Sequence, residues 1–409
     1  MRTLIIVDVF PPEISSASKL VQELARGLKA SGDEVFVATT FPSNYLADGA
    51  LDKKLQEFST EEGIHIIRVK TPPLKKVNFV IRGLSQLLLP FLVFRKIKQY
   101  INGGLDRVIV YSPPLTLAFA GYWTKKKYGA KFMLGLWDIF PQNAIDLGIL
   151  KNKLAILFFE VIEEFAYRNA DILTFHAEHG KQFLVDKKGI PANKIVLLPH
   201  WVDFSTYERP PARDFRKEYG LENKHIFLFG GIMGPAQGLG FLVAVANQSK
   251  NIENVVFLLV GDGMEKEKIV ELVKRFELRN VLIKNFVSVD DYPDLVNAAD
   301  VGVVCLSSMN KTPFVPGKFM GYLAAGKPIF AILNKESDGF ELIDHSHCGF
   351  AVEAGDINAA AKAIVALSAL PKSELTKLGS NGKQYALQNL SLQSAIKKIN
   401  GYFESFSAQ

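Results

Sequence analysis

Cysteine is scarce. The 409 residues hold two, Cys305 and Cys348, too few for a disulfide framework or a zinc-ribbon site. Long apolar runs are missing as well. The longest, in the Leu87–Phe94 region, is broken by Pro90 and is too short to span a bilayer. The opening MRTLIIVDVF has no long apolar segment followed by a small-residue cleavage site, so it does not read as a signal peptide. No Asp-x-Asp occurs anywhere, which removes one way of holding Mg²⁺ or Mn²⁺. The pairs His176 and His179, and His345 and His347, come with no matching ligand set, so neither metal nor cofactor is expected. What these absences leave is a cytoplasmic chain, soluble or associated with a membrane surface.

The composition is that of a globular protein, 48% apolar and 22% charged. The length is too great for one core and predicts two domains of about 200 residues. The net charge of +6 is unevenly spread. Residues 1–200 hold 26 basic and 19 acidic side chains, and residues 201–409 hold 22 and 23. A basic first half suits nucleic acid, an anionic membrane surface or a phosphorylated substrate, or else a scatter of surface charge.

Short β-branched runs alternate with helical stretches. Thr3–Asp8, Glu34–Thr39, Ile64–Val69, Arg107–Tyr111, Lys131–Leu136, Asp171–Phe175 and Lys194–Leu198 read as strands. After residue 200 the pattern restarts with five more: His225–Gly230, Val255–Val260, Val281–Phe286, Asp300–Cys305 and Pro328–Ile332. The hinge is expected near residues 200–212, in WVDFSTYERPPARDF. Two doubly wound α/β domains in tandem predict a cleft at the carboxyl ends of both sheets, lined by strand-to-helix loops.

Five such loops stand out. FPPEISSA, residues 10–17, sets Ser15 and Ser16 at a helix start, as an anion site or a plain cap. FGGIMGPAQGL, residues 229–239, offers four glycines through which backbone can approach a diphosphate. VGDGM, residues 260–264, is a tight turn with or without a ligand. FVPGKFMGYLAAGKP, residues 314–328, puts Lys318 at the start of a short helix, where its charge opposes the dipole unless an anion shares the place. LWDIFPQNAIDLG, residues 136–148, puts Asp138 just past a strand, as a proton acceptor or a helix cap.

Taken in order, these segments resemble family 4 retaining glycosyltransferases of the GT-B fold. FPPEISSASKLVQELARGLKASGDEV, YSPPLTLAFAG, DIFPQNAIDLGILK, LPHWVD, FGGIMGPAQGL, VGDGMEKEKI, NVLIKNFVSV, NAADVGVV and PGKFMGYLAAGKP carry the likeness over nearly the whole chain. SPPLT with DIFP is similar to a narrower branch that moves amino or deoxy sugars, such as L-fucosamine, onto lipid-linked intermediates of bacterial O-antigen or capsule. The resemblance implies two Rossmann-like domains facing across a cleft, residues 1–200 for the acceptor and 201–385 for the nucleotide-sugar. A last helix at about 386–409 would pack back on the first. Gly230, Gly231, Gln237, Gly238, Gly261 and Lys318 would surround the diphosphate of a UDP-sugar or related donor. Val287 would meet the base, and Gly321 would stand beside the ribose. Glu13, Ser15 and Ser16 would face the acceptor or sugar, and Asp138 would act as base or acceptor-orienting group. Lys318 would stabilise the departing diphosphate without metal.

The acceptor implied is polyprenyl-diphosphate-linked, at the inner face of the cytoplasmic membrane. Val77–Tyr100 fits that expectation as an interfacial segment, with Lys75, Lys76, Arg82, Arg95 and Lys96 as its cations, or is a plain core helix with a basic face. The chain also departs from the family. Pro313 and Gly321 stand where many members carry two glutamates eight residues apart, the second of them on the ribose. Gly231 and Gln237 replace the usual Arg/Lys pair, and Gln142 and Asn143 replace Glu-Ser of the narrower branch. These replacements carry a second expectation, a non-catalytic binding partner of an active transferase.

Overall fold

The computed structural model describes residues 1–13, 15–42, 55–72, 79–288 and 290–407, without the side chains of Phe79, Val80, Arg82 and residues 405–407. It divides into two compact units, Met1–Pro199 with Leu392–Gln409, and His200–Ser391.

The first unit is an eight-stranded sheet. Its strands are β1 (Arg2–Ile6), β2 (Glu34–Thr40), β3 (Phe58–Glu61), β4 (Ile64–Val69), β5 (Arg107–Ser112), β6 (Lys131–Leu136), β7 (Ile172–Phe175) and β8 (Ile195–Leu197). They lie in the order β3-β4-β2-β1-β5-β6-β7-β8. Every neighbour pair is parallel except the hairpin of β3 and β4. Ile5 sits between Val37 and Ile109 in register, and all three are buried. Strands covered on both faces need apolar side chains at successive positions, and RVIVYS of β5 is buried throughout. The sequence reading gives seven strands here and misses β3. FSTE is a short edge strand, half-buried to exposed, with no apolar run to mark it.

The strand order steps in one direction from β4 to β5, β6, β7 and β8. Right-handed crossovers therefore set helices Phe79–Tyr100, Leu117–Tyr128, Lys153–Asn169 and Glu178–Lys188 on one face. Ser16–Ala30 connects β1 to β2 in the opposite direction and takes the other face. The final helix, Leu392–Ser407, packs there, with Ile396 set 3.0 Å from where a Cβ on Gly27 would stand. It begins six residues later than the expected 386. Residues up to Asn389 complete the preceding helix, Lys372–Asn389, in the second unit, where the Leu390 carbonyl accepts from Val202 N–H at 2.9 Å.

A buried polar cluster ties this first unit together. Arg107 donates to Thr3 Oγ1 at 2.7 Å, to Asp33 Oδ2 at 2.5 Å and to Asn400 Oδ1 at 2.8 Å. It thus joins β5, β1, the turn before β2 and the final helix. Burial alone raises the Asp33 carboxyl, but hydrogen bonds from Thr3 and Arg107 outweigh it and hold the group below its ordinary value.

The second unit is a six-stranded, wholly parallel sheet of β9 (His225–Gly230), β10 (Val255–Val260), β11 (Val281–Lys284), β12 (Val301–Cys305), β13 (Ile329–Leu333) and β14 (Gly349–Glu353). The order is β11-β10-β9-β12-β13-β14, which reverses direction between β9 and β12. The five-strand expectation misses β14, an edge strand of largely open GFAVE. Gly349 is required there, because a Cβ would lie 1.9 Å from the Ile329 carbonyl oxygen. Both units are Rossmann-like. No helix among the described residues is long and apolar enough to cross a membrane.

Candidate functional site

In the second unit, the loops after β9, β10 and β12 meet at the switch point of the sheet, where such folds bind ligands. Gly231 follows β9 with φ 134, a conformation that favours glycine. Its N–H donates to the Val260 carbonyl at 2.9 Å, and a Cβ on Gly261 would lie 1.8 Å from the Gly231 carbonyl oxygen. Met233 N–H donates to the Asp262 carbonyl at 2.8 Å, and Gly263 packs on the Met233 backbone. GGIMG and VGDG therefore pack backbone to backbone, and the glycines permit that contact.

The helix Lys318–Ala324 brings Lys318 to this place. Its ammonium lies 4.7 Å from the centre of the Phe229 ring. A Cβ on Gly231 would stand 3.0 Å from Lys318 Cε and 3.3 Å from Nζ. Burial pushes the Lys318 ammonium down to about 8. Lys327 is also lowered to about 8 by burial, yet its ammonium donates to the Asn297 and Ala299 carbonyls at 2.7 and 2.8 Å. Lys327 caps a helix end. Lys318 faces a ring and a glycine instead, and that geometry, not the shift, marks it.

Other expected residues lie nearby with mixed roles. Gln237 Oε1 accepts from Gly234 N–H at 3.1 Å, so it braces its own loop. Gly238, with φ 58, packs on the Ser307 backbone. Val287 follows β11, two strands from β9, and is half-buried. Gly321 is enclosed: a Cβ there would meet the Tyr207 hydroxyl at 2.9 Å and the Tyr292 ring at 3.4 Å. Restoring a glutamate at this place by Gly321→Glu would thus meet two tyrosines rather than open space.

The sequence reading did not pick out these tyrosines. The Tyr322 hydroxyl accepts from Gly230 N–H at 3.3 Å and donates to the Leu228 carbonyl at 2.8 Å. The Tyr292 hydroxyl, raised to about 12 by burial, hydrogen-bonds Tyr322. A Cβ on Gly230 would lie 2.9 Å from Tyr292. His200 is pushed down to about 4 by burial and bonds the Val315 backbone, steadying the loop before Lys318.

In the first unit, Asp8, Ser112, Asp138 and His176 stand just past or at the ends of β1, β5, β6 and β7, neighbours along one edge of the sheet. Asp138 is half-buried, and desolvation pushes its carboxyl up to about 6. The Tyr111 hydroxyl is raised by burial first, then by the Asp138 and Asp8 charges. Trp137 stacks on Tyr111 with centres 5.1 Å apart and on His176 at 6.1 Å. A carboxylate that titrates near neutrality beside an aromatic floor suits proton transfer from a polyol.

The loop after β1 gives less. Glu13 is buried. Ser15 is the N-cap of Ser16–Ala30, its hydroxyl accepting from Ser18 N–H at 3.0 Å, and Ser16 is exposed in the first turn. Of the expected membrane cations, Lys75 and Lys76 lie outside the described residues, as does the side chain of Arg82. Arg95 is exposed. Lys96 pairs with Glu57 at 2.6 Å and packs beside Tyr100.

Comparison with known proteins agrees with this construction. A family model described as the glycosyl transferase 4-like domain matches residues 17–201, and one described as glycosyl transferases group 1 matches residues 223–369. The two halves of the chain thus each match a glycosyltransferase domain, and the fold is that of the GT-B glycosyltransferases. It is 26% identical to the probable glycosyltransferase WbjE of Pseudomonas aeruginosa, over 81% of this chain and 82% of that one. It is 23% identical to the putative colanic acid biosynthesis glycosyl transferase WcaI of Escherichia coli K12, over 80% and 82%. Among solved structures, Anabaena HepE in complex with UDP-glucose superposes with a TM-score of 0.72 and 18% identity, over 99% of this chain and 100% of that one.

Proposed function

We propose that the protein is a metal-independent retaining glycosyltransferase of bacterial surface polysaccharide synthesis. It takes a sugar from a UDP-sugar and adds it to a polyprenyl-diphosphate-linked saccharide at the inner face of the cytoplasmic membrane. The observation that carries this is the juxtaposition of the Lys318 ammonium with Gly231, which has no side chain, at the switch point of the sheet. WcaI, whose name assigns it to colanic acid biosynthesis, and the UDP-glucose complex of HepE support it.

As the bond from the anomeric carbon to the diphosphate breaks, negative charge grows on the leaving oxygen. The Lys318 ammonium stabilises that charge more than the ground state, which lowers the barrier. The acceptor hydroxyl attacks the anomeric carbon and yields its proton to the Asp138 carboxylate or to the departing phosphate. Retention then needs no protein nucleophile. Hexoses and amino sugars both suit this chemistry.

A second reading rests on Gly321. With Tyr207 and Tyr292 filling the space beside it, no carboxylate meets a ribose there, as suits a non-catalytic partner of another transferase. Thermal shift against UDP-, GDP- and dTDP-sugars tests both. The transferase reading expects stabilisation by UDP-sugars, lost in Lys318→Ala, and release of UDP on adding acceptor. Binding without turnover supports the second reading, and no shift with any nucleotide sinks the first.

A further inference from the structure

Two helices on one face of the first unit carry the same unsatisfied pattern. On Phe79–Tyr100, Leu84, Leu87, Leu88 and Phe91 are exposed, Leu84 to 64%. On Lys153–Asn169, Leu154, Leu157, Phe158 and Val161 are exposed, Leu154 to 78%. Each set has the spacing i, i+3, i+4, i+7, which puts four large apolar side chains on one stripe of a helix. A core stripe would be buried, and these are not. Scattered exposed leucines are ordinary, but two matched stripes in one layer are not scatter.

The stripes belong to one surface. Between the two helices lies Leu117–Tyr128, whose Trp123 meets Phe94 at 5.7 Å and whose Phe119 stacks on Phe165 at 4.4 Å. The second stripe occupies the N-terminal half of its helix, and three of the four residues of the first, Leu84, Leu87 and Leu88, lie in the N-terminal half of theirs. In a parallel α/β unit those halves lie at the carboxyl edge of the strands, which here is the edge that bears Asp138.

The surrounding charge selects the occupant. Phe79–Tyr100 contains no Asp or Glu. Its Arg95 and Lys98 are exposed, and Lys151 and Lys153 are exposed at the start of the second stripe; of the acidic residues on that helix, Glu163 pairs with Lys188 and Glu164 with Arg168, beside Glu160. Apolar side chains rimmed by cations fit the boundary between headgroups and acyl chains of an anionic bilayer.

We propose that these two stripes together form the surface by which the protein docks on an anionic phospholipid membrane, with the Asp138 edge turned toward the bilayer. The inference rests on the lipid-linked acceptor reading and deepens it, since it brings the acceptor side of the protein to where a polyprenyl diphosphate resides.

Vesicle flotation of the full chain tests it, using phosphatidylcholine vesicles with and without phosphatidylglycerol. The parent is expected to float only with the anionic lipid. The pairs Leu84→Glu with Leu88→Glu, and Leu154→Glu with Leu157→Glu, are each expected to lower partitioning roughly tenfold or more, the scale of losing two inserted apolar side chains. Val365→Glu, an equally open apolar site in the other unit, is expected to leave it unchanged. Equal melting curves for all variants exclude misfolding. Flotation that ignores the second pair, or ignores the anionic lipid, overturns the proposal. So does a parent dimer in sedimentation that either pair dissociates, which assigns the surface to a second copy. UDP binding on the same samples separates the two ideas: binding without flotation overturns docking alone, and flotation without binding overturns the transferase reading alone.

Discussion

Gly231 and Lys318 occupy one another's space. The lysine Cε lies 3.0 Å from where a Gly231 Cβ would be, and its Nζ 3.3 Å, so a side chain at 231 requires the end of Lys318 to give way by a few tenths of an ångström. The family likeness puts a cation at 231, and here that position is empty of side chain while Lys318 fills the room. Gly231→Ala is expected to cost about 1–3 kcal/mol of stability through its φ of 134. It is also expected to weaken UDP-sugar binding by displacing Lys318, as read by urea unfolding and calorimetry. Unchanged affinity would separate the lysine from the donor.

The two shifted groups predict a bell-shaped pH profile. Asp138, raised to about 6, works ionised, and Lys318, lowered to about 8, works protonated. kcat/KM is expected to rise through about pH 6 and fall above about pH 8. Asp138→Asn removes the lower limb, and Lys318→Arg removes the upper.

Asp138 also predicts a stability effect of opposite sense to its catalytic one. Its folded value lies above the ordinary 3.8, so the stability it contributes is full below 3.8 and is lost as pH rises through about 6. Asp138→Asn is therefore expected to melt higher than the parent at about pH 7.5, with the gain shrinking toward pH 4. A lower melting point at about pH 7.5 would show a structural role for the carboxylate.

Gly321 and Tyr207 predict a coupled pair. Gly321→Ala puts a methyl 2.9 Å from the Tyr207 hydroxyl and is expected to cost about 1–3 kcal/mol as overpacking. Tyr207→Phe removes the hydroxyl that clashes. The double variant is expected to lose less than the sum of the singles in denaturant unfolding. Simple additivity would show that Tyr207 moves aside freely.

Arg107 predicts a large loss. Arg107→Ala leaves the buried Asp33 carboxylate with only the Met1 amino group, at 3.2 Å, as a cation and frees Asn400 on the final helix. A cost of about 3–5 kcal/mol is expected. Because the Asp33 value is lowered in the fold, its contribution is present above 3.8 and lost as pH falls through the folded value, so parent and variant converge in acid.

Much of this was legible in the sequence for a physical reason. Close backbone approach leaves glycines, so FGGIMGPAQGL and VGDGM marked the two loops that pack together after β9 and β10. Strands buried on both faces leave apolar runs, so β5 and β10 stood out. Edge strands leave no such run, and β3 and β14 went unseen. Tyr207, Tyr292 and Tyr322 are far apart in the chain and meet only through the fold. Lys96 and Arg95 look alike in sequence, and only Glu57, 39 residues before Lys96, distinguishes them.

The most direct measurement of the central claim is transfer of labelled sugar from a panel of UDP-sugars to a polyprenyl-diphosphate saccharide, comparing the parent with Lys318→Ala and Asp138→Asn. Turnover by the parent is predicted, with kcat reduced about 10²–10³-fold in Lys318→Ala, the scale of removing one group that stabilises developing charge. A parent that binds a UDP-sugar but never transfers it, or a Lys318→Ala variant that turns over normally, would contradict the account.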